Sequence, residues 1–201
     1  MNGQETEAKF YVKDLSRIKT RLRELQAELI QPRVHETNLR FDTAGRDLRS
    51  SGRVLRLRRD NQARMTYKGP SDKTDGVMSR EEIEFVVEDF ERAKEFIEAL
   101  GYEVMVFYEK FRATYQLEDA HIMLDELPYG EFVEIEGKDI SSIKKIAASL
   151  RLGWDAAITK SYHALFESVA GARGLNKGQL SFDVFKGGKP SAGELGVIAA
   201  D

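Results

Sequence analysis

Charged side chains recur at every second position along much of this chain. The stretch ETEAK sets Glu5, Glu7 and Lys9 on alternate residues, with Thr6 and Ala8 between them. That is the periodicity of a β-strand, in which side chains at i, i+2 and i+4 share a face. The pattern returns at Arg56 and Arg58, at Thr66 and Lys68, at Arg80, Glu82 and Glu84, at Lys110 and Arg112, at Asp125, and at Glu134 and Glu136. A solvated sheet face accounts for any one such stripe. A charged stripe on nearly every strand, accompanied by apolar residues (Val54, Leu55 and Leu57; Ile83, Phe85 and Val87; Phe132, Val133 and Ile135), asks for more. The apolar faces need helices over them, and in a closed barrel the charged faces point inward.

The remaining pattern supplies those helices. Residues 5–12 read as a strand, and Asp14 reads as the N-cap of a helix carrying Leu15, Ile18, Leu22, Leu25 and Leu29 and ending before Pro32. Strands are expected at 34–42, 52–60, 63–69, 77–88, 102–117, 121–128 and 130–138, with a turn or short helix in TAGRDLRSSG, a loop in GPSDKTDG and a Pro-Tyr-Gly turn before Gly130. A helix spans 89–101 with Gly101 as its stop, and helical segments span about 139–152 and 155–170, Trp154 opening the latter as a packing anchor. About eight strands joined by short turns, without a helix in each connection, predict an α+β chain built on an eight-stranded antiparallel closed barrel with flanking helices. The expected organisation is a domain over 1–170 and a glycine-rich tail over 171–201, partly mobile or draped on the surface.

Charge and composition narrow the function. With 31 basic and 34 acidic residues the formal net charge is -3, which argues against a general nucleic-acid or membrane-surface binder. The absence of cysteine excludes disulfides, thiolate metal sites and thiol nucleophiles, and His35, His121 and His163 lack zinc-ligand spacing. No apolar run approaches the roughly 20 residues of a membrane span, so a soluble cytoplasmic protein is expected. There is no GxxxxGK[ST] loop, no GxGxxG after a strand, and no serine in a G-x-S-x-G turn.

A barrel interior this charged is costly unless its charges are paired or a ligand fills it. The acids gather on the first, seventh and eighth strands (Glu5, Glu7, Asp125, Glu134, Glu136), and carboxylates without histidine or cysteine suit a hard ion, Mg²⁺ or Mn²⁺. The bases (Lys9, Arg56, Arg58, Lys68, Lys110, Arg112) suit a polyanion, since arginine grips phosphate in a bidentate fork and lysine adds point charge. Acids facing bases make a pattern for a metal-bound polyphosphate.

The whole series resembles the CYTH family of triphosphate tunnel metalloenzymes: ETEAK, LRLR, TYKGP, REEIE, KFR, LDELPYGEFVEIEG and KSYHALF, in order, from about residue 4 to about 167. The resemblance implies an eight-stranded tunnel that takes a triphosphate with a divalent metal. It carries the family's metal ligands to Glu5, Glu7, Asp125, Glu134 and Glu136. Its phosphate binders fall on Lys9, Arg56, Arg58, Lys68, Arg112 and Lys160, with Lys110 added from the KFR pair. Arg80, Glu82 and Glu84 match as interior ion pairs that hold the bases in place.

Three activities are compatible with that resemblance: hydrolysis of inorganic or organic triphosphate, cyclisation of ATP to cyclic AMP and pyrophosphate, and polyphosphate binding without turnover. Hydrolysis is placed first, because water is the simpler nucleophile and no adenine-reading motif is visible, while the intact acid set argues against a binding module. Lys68 and Arg58 are the expected catalytic cations, stabilising charge on the transferring phosphoryl group. A lysine with a lowered pKa is the alternative as general base. The expected partner is a small-molecule triphosphate, with no nucleic acid or membrane, on a monomer or homodimer.

Overall fold

A computed structural model describes residues 4–185 and 188–201, the side chains of Gln4, Glu5 and Lys73 excepted. Eight strands form a ring: β1 (Gln4–Val12), β2 (Glu28–Asp42), β3 (Val54–Arg59), β4 (Ala63–Thr74), β5 (Val77–Val87), β6 (Glu103–Leu117), β7 (Ala120–Leu127) and β8 (Gly130–Glu136). Their order is β6-β2-β3-β4-β5-β1-β8-β7, and β7 closes back onto β6 with every pair antiparallel. Closure removes both sheet edges and creates an inside.

Register brings the charged stripes together on that inside. Glu7 lies opposite Glu136 and Lys9 opposite Glu134. Lys68 lies opposite Glu82, Arg112 opposite Asp125, and Arg40 opposite Arg56. Directly opposed residues project to the same face, so a period-two charge pattern in each strand becomes one charged wall.

The outward face is covered in three places. Helices α1 (Leu15–Glu24) and α4 (Ile140–Ser149) lay Ile18, Leu22, Ile143 and Ile146 on Ile122 and Ile135 of the barrel. Asp14 caps α1 by accepting from the Ser16 N–H, as its place before the apolar repeat predicts. Helix α3 (Phe90–Ala99) packs Ala93 and Ile97 on Phe41 and Leu57, and Gly101 follows it at φ 89, a backbone that favours glycine. Helix α5 (Tyr162–Arg173) and the chain after it bury Tyr129, Phe132, Phe166 and Leu195 in a third cluster. Among the described residues no helix is long and apolar enough to cross a membrane.

Several local expectations give way to the fold. Leu29 belongs to β2, because α1 stops at Glu24 and Gln26 takes φ 58. Pro32 sits inside β2 where the register with β6 shifts between Gln31 and Val34, and a bulge is where a strand tolerates proline. GPSDKTDG is strand rather than loop: β4 continues through another register shift at Pro70 as far as Thr74. Only Asp75 and Gly76 turn, both with positive φ, as a two-residue type I′ hairpin requires. Ile83 and Phe85, expected under a helix, are 52% and 53% exposed, because α3 lies mainly over β3; on β5 it is Val87 that packs against the α3 cluster.

The segment expected as a helix over 155–170 begins instead with a 3-10 turn at Trp154–Ala156 and a short strand β9 (Ala157–Ile158) on β1, and is helical only from Tyr162. Trp154 meets Phe10 edge-on at 5.8 Å, a packing contact. Helix α5 crosses residue 170 and ends at Arg173. The glycine-rich chain beyond it adds β10 (Gln179–Leu180) to β6 and a short helix α6 (Ala192–Leu195), burying Leu180, Phe185 and Leu195. The Asp201 side chain accepts from the backbone N–H groups of Lys13 and Asp14, at 2.8 and 3.3 Å.

Candidate active site in the strand tunnel

The ring encloses a cavity of about 400 Å³ lined by charged side chains from nearly every strand. On one side stand the acids of β1 and β8. Glu7 and Glu136, register partners, both line it. Lys9 lies between Glu134 and Glu7, its Nζ 2.8 Å from the former and 3.8 Å from the latter. Burial works against charge on both members of the Lys9–Glu134 pair, but their mutual attraction outweighs it. Glu7 reinforces the pull on Lys9, and Arg112 and Lys110 reinforce the pull on Glu134. Lys9 is thereby raised above its ordinary pKa and Glu134 held well below its own. A lysine base of lowered pKa is therefore not found at Lys9.

Behind this edge Asp125 is fully buried. It accepts from Lys110 Nζ at 3.0 Å, from Arg112 Nε at 2.6 Å and from the Tyr162 hydroxyl at 2.7 Å. Arg112 also bridges to Glu134. Both Asp125 oxygens are thus engaged with cations, and in this arrangement Asp125 anchors Lys110 and Arg112. Tyr162 is stacked under the Lys9 ammonium, 4.5 Å from its ring centroid.

The bases of β3, β4 and β5 face the acids. Glu84 holds Arg58 at 3.0 Å and Arg56 at 3.3 Å, and Glu82 holds Lys68 at 2.9 Å. These are the ion pairs expected of the REEIE strand, and Arg80 lines the same cavity. The Nε atoms of Arg56 and Arg58 are buried and make no hydrogen bond, although that of Arg58 faces the Asp60 carboxylate at 3.6 Å. A buried guanidinium donor left unmatched is costly and marks a place made for an acceptor.

Glu36, Asn38 and Arg40 escape the sequence reading, although they alternate on β2 like the other stripes. Glu36 is 1% exposed. Burial would raise its carboxyl, but the fields of Lys110, Arg112, Arg58 and Arg56 prevail and lower it to about 2. It is a fixed negative charge beneath the bases. Tyr108, also missed, lines the same cavity beside Arg56. Burial would raise its phenol, but Arg56 and Lys110 bring it below its ordinary value. Lys160 is exposed and does not line the cavity, whereas its neighbours Ser161, Tyr162 and His163 do. The Glu5 side chain lies outside the described residues; its backbone pairs with Arg80 on β5.

Among the described residues no three carboxylate or histidine side chains converge into a ready-made metal cage. The donor set still fits a magnesium-type ion, which binds through one or two carboxylates and completes its shell with water and substrate phosphate. The adjacent Glu7 and Glu136 provide hard oxygen donors on the tunnel wall.

Known proteins share this architecture. A Methanocaldococcus jannaschii protein provisionally named an adenylate cyclase is 32% identical over 171 residues, covering 79% of this chain and 95% of its own length. The Pyrococcus horikoshii protein PH1819 superposes with a TM-score of 0.67 at 28% identity, over 81% of this chain and 98% of that one. A Hippeastrum adenylyl cyclase homologue, reported to have a dominant triphosphatase activity, superposes with a TM-score of 0.64 at 20% identity, over 82% and 95% of the two chains. The CYTH domain model matches residues 3–152, and the chain belongs to the CYTH family.

Proposed function

We propose that the protein hydrolyses a triphosphate bound in the tunnel, with Mg²⁺ or Mn²⁺ as cofactor. The observation that carries this reading is the basic wall of Arg56, Arg58 and Lys68, with the buried Arg56 Nε donor left without a hydrogen bond, across the cavity from the Glu7–Glu136 edge. A phosphate chain supplies acceptors to that wall and lies between wall and edge.

Arg56, Arg58 and Lys68 bind and orient the chain and stabilise charge that accumulates on its oxygens as a phosphoryl group departs. Glu82 and Glu84 keep those cations extended in the absence of substrate. Lys9, Lys110 and Arg112 grip the other end and are held in place by Glu134 and Asp125. Glu7 and Glu136, with Glu5 two residues before Glu7, would hold the metal, which when bound neutralises phosphate charge and acidifies a water. Asp125 acts by fixing Lys110 and Arg112. Lys160, outside the lining, is assigned no contact with the chain.

Cyclisation of ATP is the second reading, favoured by the name of the Methanocaldococcus jannaschii relative. Incubation with inorganic triphosphate, thiamine triphosphate and ATP, each with Mg²⁺ or Mn²⁺, separates the two. Release of orthophosphate supports hydrolysis, and cyclic AMP as the dominant product refutes it. Arg58→Ala and Glu7→Gln are each expected to lower kcat/KM by about 100-fold, of the order lost with one transition-state donor. Full activity in both variants would show that the tunnel is not the active site.

A further inference from the structure

A second cavity of about 190 Å³ adjoins the tunnel between β2, α5 and the short helix α2 (Asp47–Ser50), and Arg40, Ser161 and His163 line both spaces. Its acids are committed elsewhere. Asp42 accepts from the backbone N–H groups of Thr43, Leu48 and Arg49, and both oxygens of Glu167 are taken by Arg49, at 2.8 and 3.0 Å. Of its three arginines Arg49 is held by Glu167, whereas among the described residues neither Arg40 nor Arg46 has a carboxylate within 4 Å.

Arg40 is the sharper case. It is half-buried at the junction of the two cavities, opposite Arg56 in the strand register; burial works against its charge, Tyr108 favours it, and Arg49, Arg56 and Arg80 oppose it. A guanidinium among like charges, with a phenol and no carboxylate beside it, calls for an anion. The tunnel bases Arg56, Arg58 and Lys68 each have a glutamate to hold them; Arg40 has none.

We propose that Arg40 and the side cavity form an additional phosphate subsite, continuous with the tunnel, that takes the next phosphate of a chain longer than three. The inference rests on the tunnel binding a triphosphate and extends it: the preferred ligand class becomes linear inorganic polyphosphate of four or more units. Arg40 grips the added group at the junction, and Arg46 lines the side cavity but not the tunnel.

Calorimetric titration of the metal-free protein with pyrophosphate, triphosphate and tetraphosphate tests this. The wild type is expected to bind tetraphosphate about tenfold tighter than triphosphate, the order of gain from one charge-assisted grip. Arg40→Gln should shrink the step from tri- to tetraphosphate more than the step from pyro- to triphosphate. Ala164→Glu places a carboxylate in the side cavity from the first turn of α5, where glutamate suits the helix. It should abolish the last step and leave triphosphate binding unchanged, and its thermal melt reports folding. Equal wild-type affinity for tri- and tetraphosphate, or parallel losses for both ligands in both variants, would overturn the subsite while leaving the tunnel reading intact. Failure of the wild type to bind triphosphate at all would refute the tunnel reading and the subsite with it.

Discussion

Glu36→Gln separates stability from binding. The wild-type carboxyl is 1% exposed and surrounded by Lys110, Arg112, Arg58 and Arg56, which bring its pKa from the ordinary 4.5 to about 2. At 1.36 kcal/mol per pH unit, that displacement favours the ionised form in the folded state by about 3 kcal/mol. Glutamine resembles the protonated side chain, so at pH 7 the variant is expected to unfold about 3 kcal/mol more easily in urea. The pH dependence has a definite sign. A depressed carboxyl contributes its full stabilisation above pH 4.5 and loses it as pH falls toward 2, so the two proteins converge in acid. Ligand binding should move the other way. Removing a negative charge from beneath the bases strengthens their attraction for a polyanion, so metal-free triphosphate affinity should rise in the variant that is less stable. A stability difference below about 1 kcal/mol at pH 7, or a difference that persists unchanged at pH 2, would refute the electrostatic role of Glu36. Weaker triphosphate binding would refute the account of the basic wall.

Two further outcomes test the fold. Leu195→Ala, which opens a hole in the cluster where α6 packs against α5, should cost about 2–4 kcal/mol in urea denaturation, whereas a peripheral, unpacked tail would make it silent. Ile83→Thr and Phe85→Thr, on the uncovered face of β5, should each change stability by less than about 0.5 kcal/mol, and a loss of core size would show that this face is packed after all.

The site was legible because charge alternation survives translation into structure. Glu7, Lys9, Arg56, Arg58, Lys68, Lys110, Arg112, Asp125, Glu134 and Glu136 each sit in a strand at a period that permits only one of two faces. The stripe of Glu36, Asn38 and Arg40 had the same spacing and went unread because its charges are mixed with a neutral amide. Errors of extent came from prolines: Pro32 and Pro70 look like stops, but register shifts absorb them inside long strands. The Asp75-Gly76 pair was the true hairpin signal, hidden within a turn-rich stretch.

What the sequence determined by itself was the local alternation, the caps at Asp14 and Gly101, and the kinds of side chain that had to meet. Tertiary structure decided what each charge does, because that depends on distances across strands far apart in the chain. It made Asp125 an anchor for two cations, left Lys160 at the surface, and packed the glycine-rich chain after α5 through Leu180, Phe185 and Leu195. It also placed Arg40 at a junction where, among the described residues, no carboxylate lies within 4 Å. Pairing between charges is set by ring closure, and no local pattern encodes which strands become neighbours.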